Sequence, residues 1–319
     1  MNIKRLIALF VSLALVALLL AKLDLKNLWG HLRGLDPKWF GAALLLFLPQ
    51  TLIIAHRWRM IAEPLARMSL KEAGQQVLAA NTLNLVLPSK MGDMAKGVFL
   101  HRQGRCSIAD GIQIVVFEKL LDLAALSLWM LLGWMIVPMR ETWALAVLAL
   151  GAFVIGVVIY LYFAPHRESG IVRMIPEKLR GKKAVKKVIT LLEAGPRVSL
   201  LIRAGGGRRR RIVAWSMTIW FLHLLQIWCF FRAVGIGVTL FMITARMPIA
   251  IFAGLLPLTI AGVGTRDWAI LAVFHGLAAN DQLAAAAVLI SLRYVVPAIG
   301  GFPFLHRYLV MSREAKSSE

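Results

Sequence analysis

Cysteine is nearly absent from this chain. Cys106 and Cys229 are the only two in 319 residues; they stand far apart and support neither a disulfide framework nor a cysteine metal site. The seven histidines are scattered without ligand spacing, so no metal is expected, and His223, inside an apolar run, reads as a packing or hydrogen-bonding residue. Charge is missing over long stretches. Leu6–Ala21, Trp39–Ala55, Leu123–Met139, Trp143–Phe163 and Ile212–Phe231 contain no Asp, Glu, Lys or Arg. So many uncharged runs exclude a soluble globular core, and their lack of polar–apolar alternation excludes a transmembrane β-barrel. Catalytic signatures are missing too: there is no Ser-His-Asp set, zincin helix, Walker loop or dinucleotide fingerprint. Gly205-Gly206-Gly207 followed by four arginines lacks the strand–loop–helix setting of a phosphate loop. The longest stretch outside the apolar runs, Ala164–Arg211, is too short and too basic for a folded catalytic domain. The chain is not read as an enzyme, and no cofactor is expected.

What is present is hydrophobicity and positive charge. The chain is 59% hydrophobic, with a mean hydropathy of +0.73. A spanning helix needs about 20 largely apolar residues; the shorter runs reach that length with flanking apolar positions or snorkelling bases. Lys4 and Arg5 before the first run imitate a signal peptide, but Leu20-Ala21-Lys22-Leu23-Asp24 offers no small-residue cleavage site, so a retained span is expected. Lys and Arg outnumber Asp and Glu 37 to 16, and fourteen of the bases fall in 165–211. In a soluble protein such a cluster suggests a nucleic-acid footprint. Beside membrane spans it marks the cytoplasmic side and attracts anionic lipid headgroups, so lipids rather than nucleic acid are the expected partners.

Placing 165–211 inside orders the remaining segments. The basic stretches 56–72 and 88–110 also fall inside, so Ala73–Ser89, with Gln75, Gln76, Asn81, Thr82 and Asn84, must begin and end on one face. That suits a re-entrant hairpin facing protein or water. Gly235–Gln282, broken by Pro248, Pro257, Gly254, Gly262 and Gly264, must begin and end outside. The expected fold is an all-α polytopic membrane protein with two inverted-topology halves. Each half has about three spans plus one re-entrant helical hairpin; if the re-entrant units are instead pairs of short spans, there are eight or more segments. The halves are 1–140, with a re-entrant unit at about 73–100, and 141–319, with the basic loop 165–211 and a re-entrant unit at about 239–280. Both termini are expected to be cytoplasmic, in the inner membrane. Residues 22–40 read as an interfacial helix with Leu25, Leu28, Trp29 and Leu32 on one face.

The two re-entrant units carry related motifs. LPSKMGDMAKGVFL at 87–100 and LPLTIAGVGTRDWAIL at 256–271 both open on Leu-Pro, pass a Gly and reach an acid flanked by bases. Pro88, Gly92, Pro257, Gly262 and Gly264 are the expected breaks. Asp93 lies 25 residues before Glu118, and Asp267 lies 26 before Arg293. Interrupted hydrophobic segments in corresponding places of two halves point to a transporter's binding site. Ionisable residues at membrane depth are costly and are functional suspects. Glu118, Lys119 and Asp122 form an i,i+3/i,i+4 set on one helix. They either tie that helix to Lys90 or Lys96, or serve a substrate or proton relay. Arg266, Asp267 and Arg293 form the second set. Arg293 either pairs with Asp267 or grips a phosphate, and the Gly262–Gly264 turn could offer backbone N–H groups to an anion. Asn81 and Asn84 either cap the broken helix or meet a headgroup.

In these motifs, and in Phe117-Glu118-Lys119-Leu120 with Asp122, the chain resembles the lysylphosphatidylglycerol synthase transmembrane-region family, over nearly its whole length. It departs where Gly92-Asp93-Met94-Ala95-Lys96 stands for the family's Gly-Glu-x-x-Arg, Lys119 for an arginine, and Asp267 for a glutamate. Charge sign is kept, although a lysine cannot grip phosphate bidentately as an arginine does. The resemblance implies a flippase moving a lipid between leaflets: an anionic or aminoacylated phospholipid, or a polyprenyl-phosphate-linked lipid. Chemistry of that kind would use Lys90, Lys96, Arg266 and Arg293 toward phosphate, and Asp93, Glu118, Asp122 and Asp267 toward those bases or a cationic headgroup. The alternative is a non-transporting scaffold for a lipid-modifying or envelope enzyme. A homodimer or an envelope-enzyme partner fits either reading.

Overall fold

A computed structural model describes residues 10, 17–18, 21, 23–87, 92–138, 144–163, 176–177, 206–255, 259 and 262–317. The run Leu6–Ala21 falls largely outside these residues, as do Pro88, Lys90, Pro257, the junction of the two expected halves near 140, and nearly all of the basic loop 165–211.

The described residues form helices and no strand. Asp24, whose carboxylate accepts from the Lys26 and Asn27 N–H groups, caps α1 (Leu25–Arg33). Asp36 caps α2 (Pro37–Leu45), with Pro37 in the first turn. The expected single helix over 22–40 is therefore two helices, separated at Gly34–Asp36. On α1 the expected apolar face divides: Leu28 is buried, while Leu25 and Trp29 are more than half exposed. α3 (Phe47–Ala62) follows α2 after one turn at Leu46; Pro49 has no N–H for the Leu45 carbonyl, which accounts for the interruption.

Next come α4 (Leu70–Val86), α5 (Met94–Arg102), α6 (Ile108–Ile136) and α7 (Ala144–Phe163). After the basic loop follow α8 (Gly206–Ala233), α9 (Leu240–Leu255), α10 (Thr265–Val273) and α11 (Asn280–Ser317). Among the described residues, three segments are long and apolar enough to cross a membrane: Pro37–Ala62, Gly207–Ala233 and Asn280–Leu305. α6 has 29 residues, about 43 Å at 1.5 Å per residue, with Glu118, Lys119 and Asp122 near its middle.

One element sequence occurs twice. A helix of 17 residues (α4), one of 9 (α5) and a long one (α6) are matched by helices of 16 (α9), 9 (α10) and 38 residues (α11). The copies interlock: α4 packs along α11, and α9 along α6. Glycine permits both crossings. A Cβ on Gly301 would stand 2.5 Å from Thr82 Oγ1, and one on Gly133 would stand 2.5 Å from the Ala245 nitrogen. Thr82 Oγ1 donates to the Ala298 carbonyl at 2.7 Å across the first crossing. α8 binds the rest together, with Gln50 Nε2 donating to the Leu222 carbonyl (3.0 Å) and Gln226 Nε2 to the Ala43 carbonyl (2.8 Å).

Among the described residues, buried apolar side chains gather in two large cores and a small cluster around Ala79 and Phe99. One joins α1, α2, α8, α9, α10 and α11 around Phe230, Phe231 and Phe274. The other joins α3, α4, α5 and α6 around Trp58, Leu100 and Ile114. Stretches expected on one membrane face also touch one another. Asp36 N donates to the Ala233 carbonyl, His31 meets Asp281 at 3.3 Å, and Gln282 Nε2 donates to the Val234 carbonyl. At the other end Arg208 meets Glu63 at 2.8 Å and Arg105 meets Glu72 at 2.9 Å.

Candidate functional site

The site begins with how each unit returns on itself. Leu87 is extended (φ −94°, ψ 137°), the region to which a residue before proline is confined. After the break, Gly92 lies against α4 so closely that a Cβ there would be 2.6 Å from the Ala80 carbonyl oxygen. Asn84 Oδ1 accepts from the Asp93 N–H at 3.2 Å, so Asn84 fastens the two arms together, a cap-like role. In the second unit Gly262 (φ 75°) lies against Gly254, where a Cβ would be 2.6 Å from the Gly254 carbonyl oxygen. These folds place Asp93 at the start of α5 and Asp267 in the first turn of α10, the helix ends that favour anions.

Between α3, α4, α5, α6, α8 and α11 lies a cavity of about 150 Å³. Its polar lining includes Gln50, Arg57, Asn81, Asn84, Asp93, Lys96, Glu118, Lys119, Asp122, Trp220, His223, Arg293 and Tyr294. Six charges in it form a closed chain. Glu118 accepts from Arg57 Nη2 at 3.1 Å and pairs with Lys96 Nζ. Asp122 accepts from Arg57 Nη1 at 2.6 Å and from Lys119 Nζ at 3.3 Å. Asp93 accepts from Lys119 Nζ at 2.8 Å and lies 4.0 Å from Lys96. Three bases against three acids make the chain electrically neutral, as burial demands. Two neutral side chains complete it: Trp220 Nε1 donates to Asp122 at 3.3 Å, and Ser216 Oγ accepts from Arg57 Nη1 at 2.9 Å. The Lys96 ammonium sits 4.5 Å from the centre of the Trp58 ring, and Trp58 Nε1 donates to Gln76 Oε1 at 2.9 Å.

Arg266 and Asp267 do not line the cavity. Asp267 Oδ1 accepts from Arg266 Nε (2.9 Å) and Nη2 (2.5 Å), and its Oδ2 accepts from the Gly264 N–H at 3.0 Å. Two of the alternatives left open by the sequence are not what these contacts form. Asp267 is held by its neighbour rather than by Arg293, and the Gly264 N–H serves the protein's own carboxylate rather than an outside anion. Arg266 Nη2 also donates to Ser291 Oγ at 2.8 Å, and its guanidinium lies 5.3 Å from the Tyr294 ring centre. Tyr294 thus connects this pair to the cavity wall.

Of the residues singled out from the sequence, Asn81, Asn84, Asp93, Lys96, Glu118, Lys119, Asp122 and Arg293 share the cavity. Arg57 does not follow expectation. It belongs to the basic stretch 56–72 read as cytoplasmic, but α3 continues to Ala62 and buries Arg57 to 2% exposure between two acids. The signal was the apolar pattern persisting through Trp58, Met60 and Ile61, which the Arg57 and Arg59 charges mask. Trp220 and Tyr294 were also missed; apolar neighbours hide them. Among the described residues no cluster of His, Cys, Asp and Glu could hold a metal.

No curated protein matches the chain. The sequence profile described as the lysylphosphatidylglycerol synthase TM region matches residues 5–301, which includes both broken units, the charged chain and Arg293, and the protein therefore belongs to that family of membrane proteins.

Proposed function

We propose that this protein moves a phospholipid or polyprenyl-phosphate-linked lipid between the leaflets of the cytoplasmic membrane. The observation that carries this reading is the closed chain of six charges around a cavity, among helices whose outer faces are apolar. A headgroup crossing hydrocarbon loses its water; a cavity rich in fixed donors and acceptors replaces that hydration while acyl chains stay in lipid. The recurring sequence of two shorter helices and a long one, interlocked through α4–α11 and α9–α6, supports an inverted repeat with two re-entrant units meeting at the cavity. In this arrangement the α3–α8 end with Arg208 and Glu63 faces the cytoplasm, as do both termini, and Asp281 and α1 face outward.

The test is reconstitution into liposomes with fluorescent phosphatidylglycerol, lysylphosphatidylglycerol and a polyprenyl phosphate, comparing leaflet exchange with that of an E118A/D122A double variant. Exchange of at least one lipid, slowed about tenfold or more in correctly inserted double variant (1.4 kcal/mol of barrier per tenfold), supports transport. Absence of exchange with folded wild-type protein, together with loss of an envelope partner in the double variant, identifies a scaffold instead.

A further inference from the structure

Among the described residues, one cation in the cavity has no carboxylate counter-charge. Arg57, Lys96 and Lys119 are matched by Asp93, Glu118 and Asp122, and Arg266 is matched by Asp267. Arg293 lines the same cavity, yet its Nε and Nη1 are withdrawn from solvent and meet no hydrogen-bonding partner among the described residues. Its charged neighbour is Arg266, of like sign. The two units differ at the point responsible. In the first, the long helix offers Glu118 to Lys96; in the second, it offers the neutral Ser291 to Arg266. Asp267 is fully engaged by Arg266 and the Gly264 N–H, so no carboxylate among the described residues of that unit pairs with Arg293. Pro297, one turn further and also in the cavity lining, has no N–H for the Arg293 carbonyl, which loosens the helix beside it.

A buried guanidinium without a counter-charge is costly, and its forked donors match two oxygens of a phosphate. We infer that Arg293 is the anion-holding residue of the cavity and that the ligand carries one net negative charge, as a phosphodiester does. This deepens the transport reading and rests on it. Because the six-charge chain is already neutral, a phosphomonoester would bring a second negative charge that no unpaired cation among the described cavity residues answers. A headgroup with an added ammonium would bring a positive charge for which every carboxylate is already engaged. The cavity therefore prefers phosphatidylglycerol over phosphatidic acid, phosphatidylcholine and lysylphosphatidylglycerol.

The whole protein in detergent, titrated with the dihexanoyl forms of these lipids and followed by ligand-induced thermal shift, tests this directly. The wild type is expected to bind dihexanoylphosphatidylglycerol about tenfold or more tightly than the others, and R293Q to lose that preference. R293Q without ligand is expected to melt at or above the wild-type temperature, because it removes an uncompensated charge; R57Q melts lower. Glycerophosphoglycerol identifies the source: binding equal to the lipid's points to a soluble phosphodiester, and weaker binding points to a lipid. Phosphatidylcholine binding as well as phosphatidylglycerol, unchanged preference in R293Q, or R293Q melting as low as R57Q would each overturn the inference. Arg293-dependent binding without leaflet exchange would sink the transport reading alone. Leaflet exchange whose preference for phosphatidylglycerol is unaltered in R293Q would sink this inference alone.

Discussion

Glu118 holds two buried cations at once, Arg57 through Oε1 and Lys96 through Oε2, and is 1% exposed. Removing its charge leaves both bases short of a partner in a site with little water. E118Q is expected to lose about 3–5 kcal/mol of stability, read as a lowered unfolding midpoint in a fixed detergent. K119Q should cost much less, because the Lys119 side chain is 37% exposed and can recruit solvent. Equal losses in the two variants would show that exposure does not set the cost of breaking the chain. W58F probes the layer behind the chain: it deletes the indole N–H that Gln76 Oε1 accepts and leaves that oxygen buried. A loss of about 1–3 kcal/mol is expected in the same assay.

Helix crossings obey a different constraint from charges, since here the backbone itself is in contact. A Cβ on Gly301 of α11 would run into Leu78 and Thr82 of α4, whereas one on its neighbour Gly300 would meet a Leu78 methyl at 4.0 Å. G301A is expected to separate the two helices and lower stability by about 1–3 kcal/mol, with G300A near neutral in the same melt. Gly133 at the α6–α9 crossing predicts the same response to G133A. If G301A and G300A were equally mild, the crossing would be looser than the distances imply. The short helices obey a third constraint. Gly262 and Gly264 have φ of 75° and 91°, a region that L side chains avoid, so the turn into α10 requires glycine at both positions.

At the scale of the molecule, sidedness is the consequence to check. The two native cysteines make this simple, because Cys106 is partly exposed and Cys229 is buried. In a C229A background, Cys106 should react with an impermeant maleimide in inside-out vesicles and not in right-side-out ones. In a C106A/C229A background, a cysteine at the exposed Ala279 should show the reverse. Labelling of both positions from one side would remove the inverted arrangement of the halves.

Much of this was legible in one dimension. Uncharged runs the length of a bilayer dictate helices, because lipid offers backbone groups no partner. Leu-Pro and Gly positions mark where those helices stop, as Leu87 and Gly262 show. The i,i+3/i,i+4 spacing of Glu118, Lys119 and Asp122 placed three charges on one helix face before any packing was known. What spacing cannot give is which long-range partner each charge meets, because that depends on how helices distant in sequence cross. Only the tertiary structure brought Arg57 from the end of an apolar helix to Glu118, 61 residues away, and returned Asp267 to Arg266 beside it. That choice of partners, made by glycine-permitted crossings and by the need to neutralise buried charge, is what leaves Arg293 unmatched among the described cavity residues.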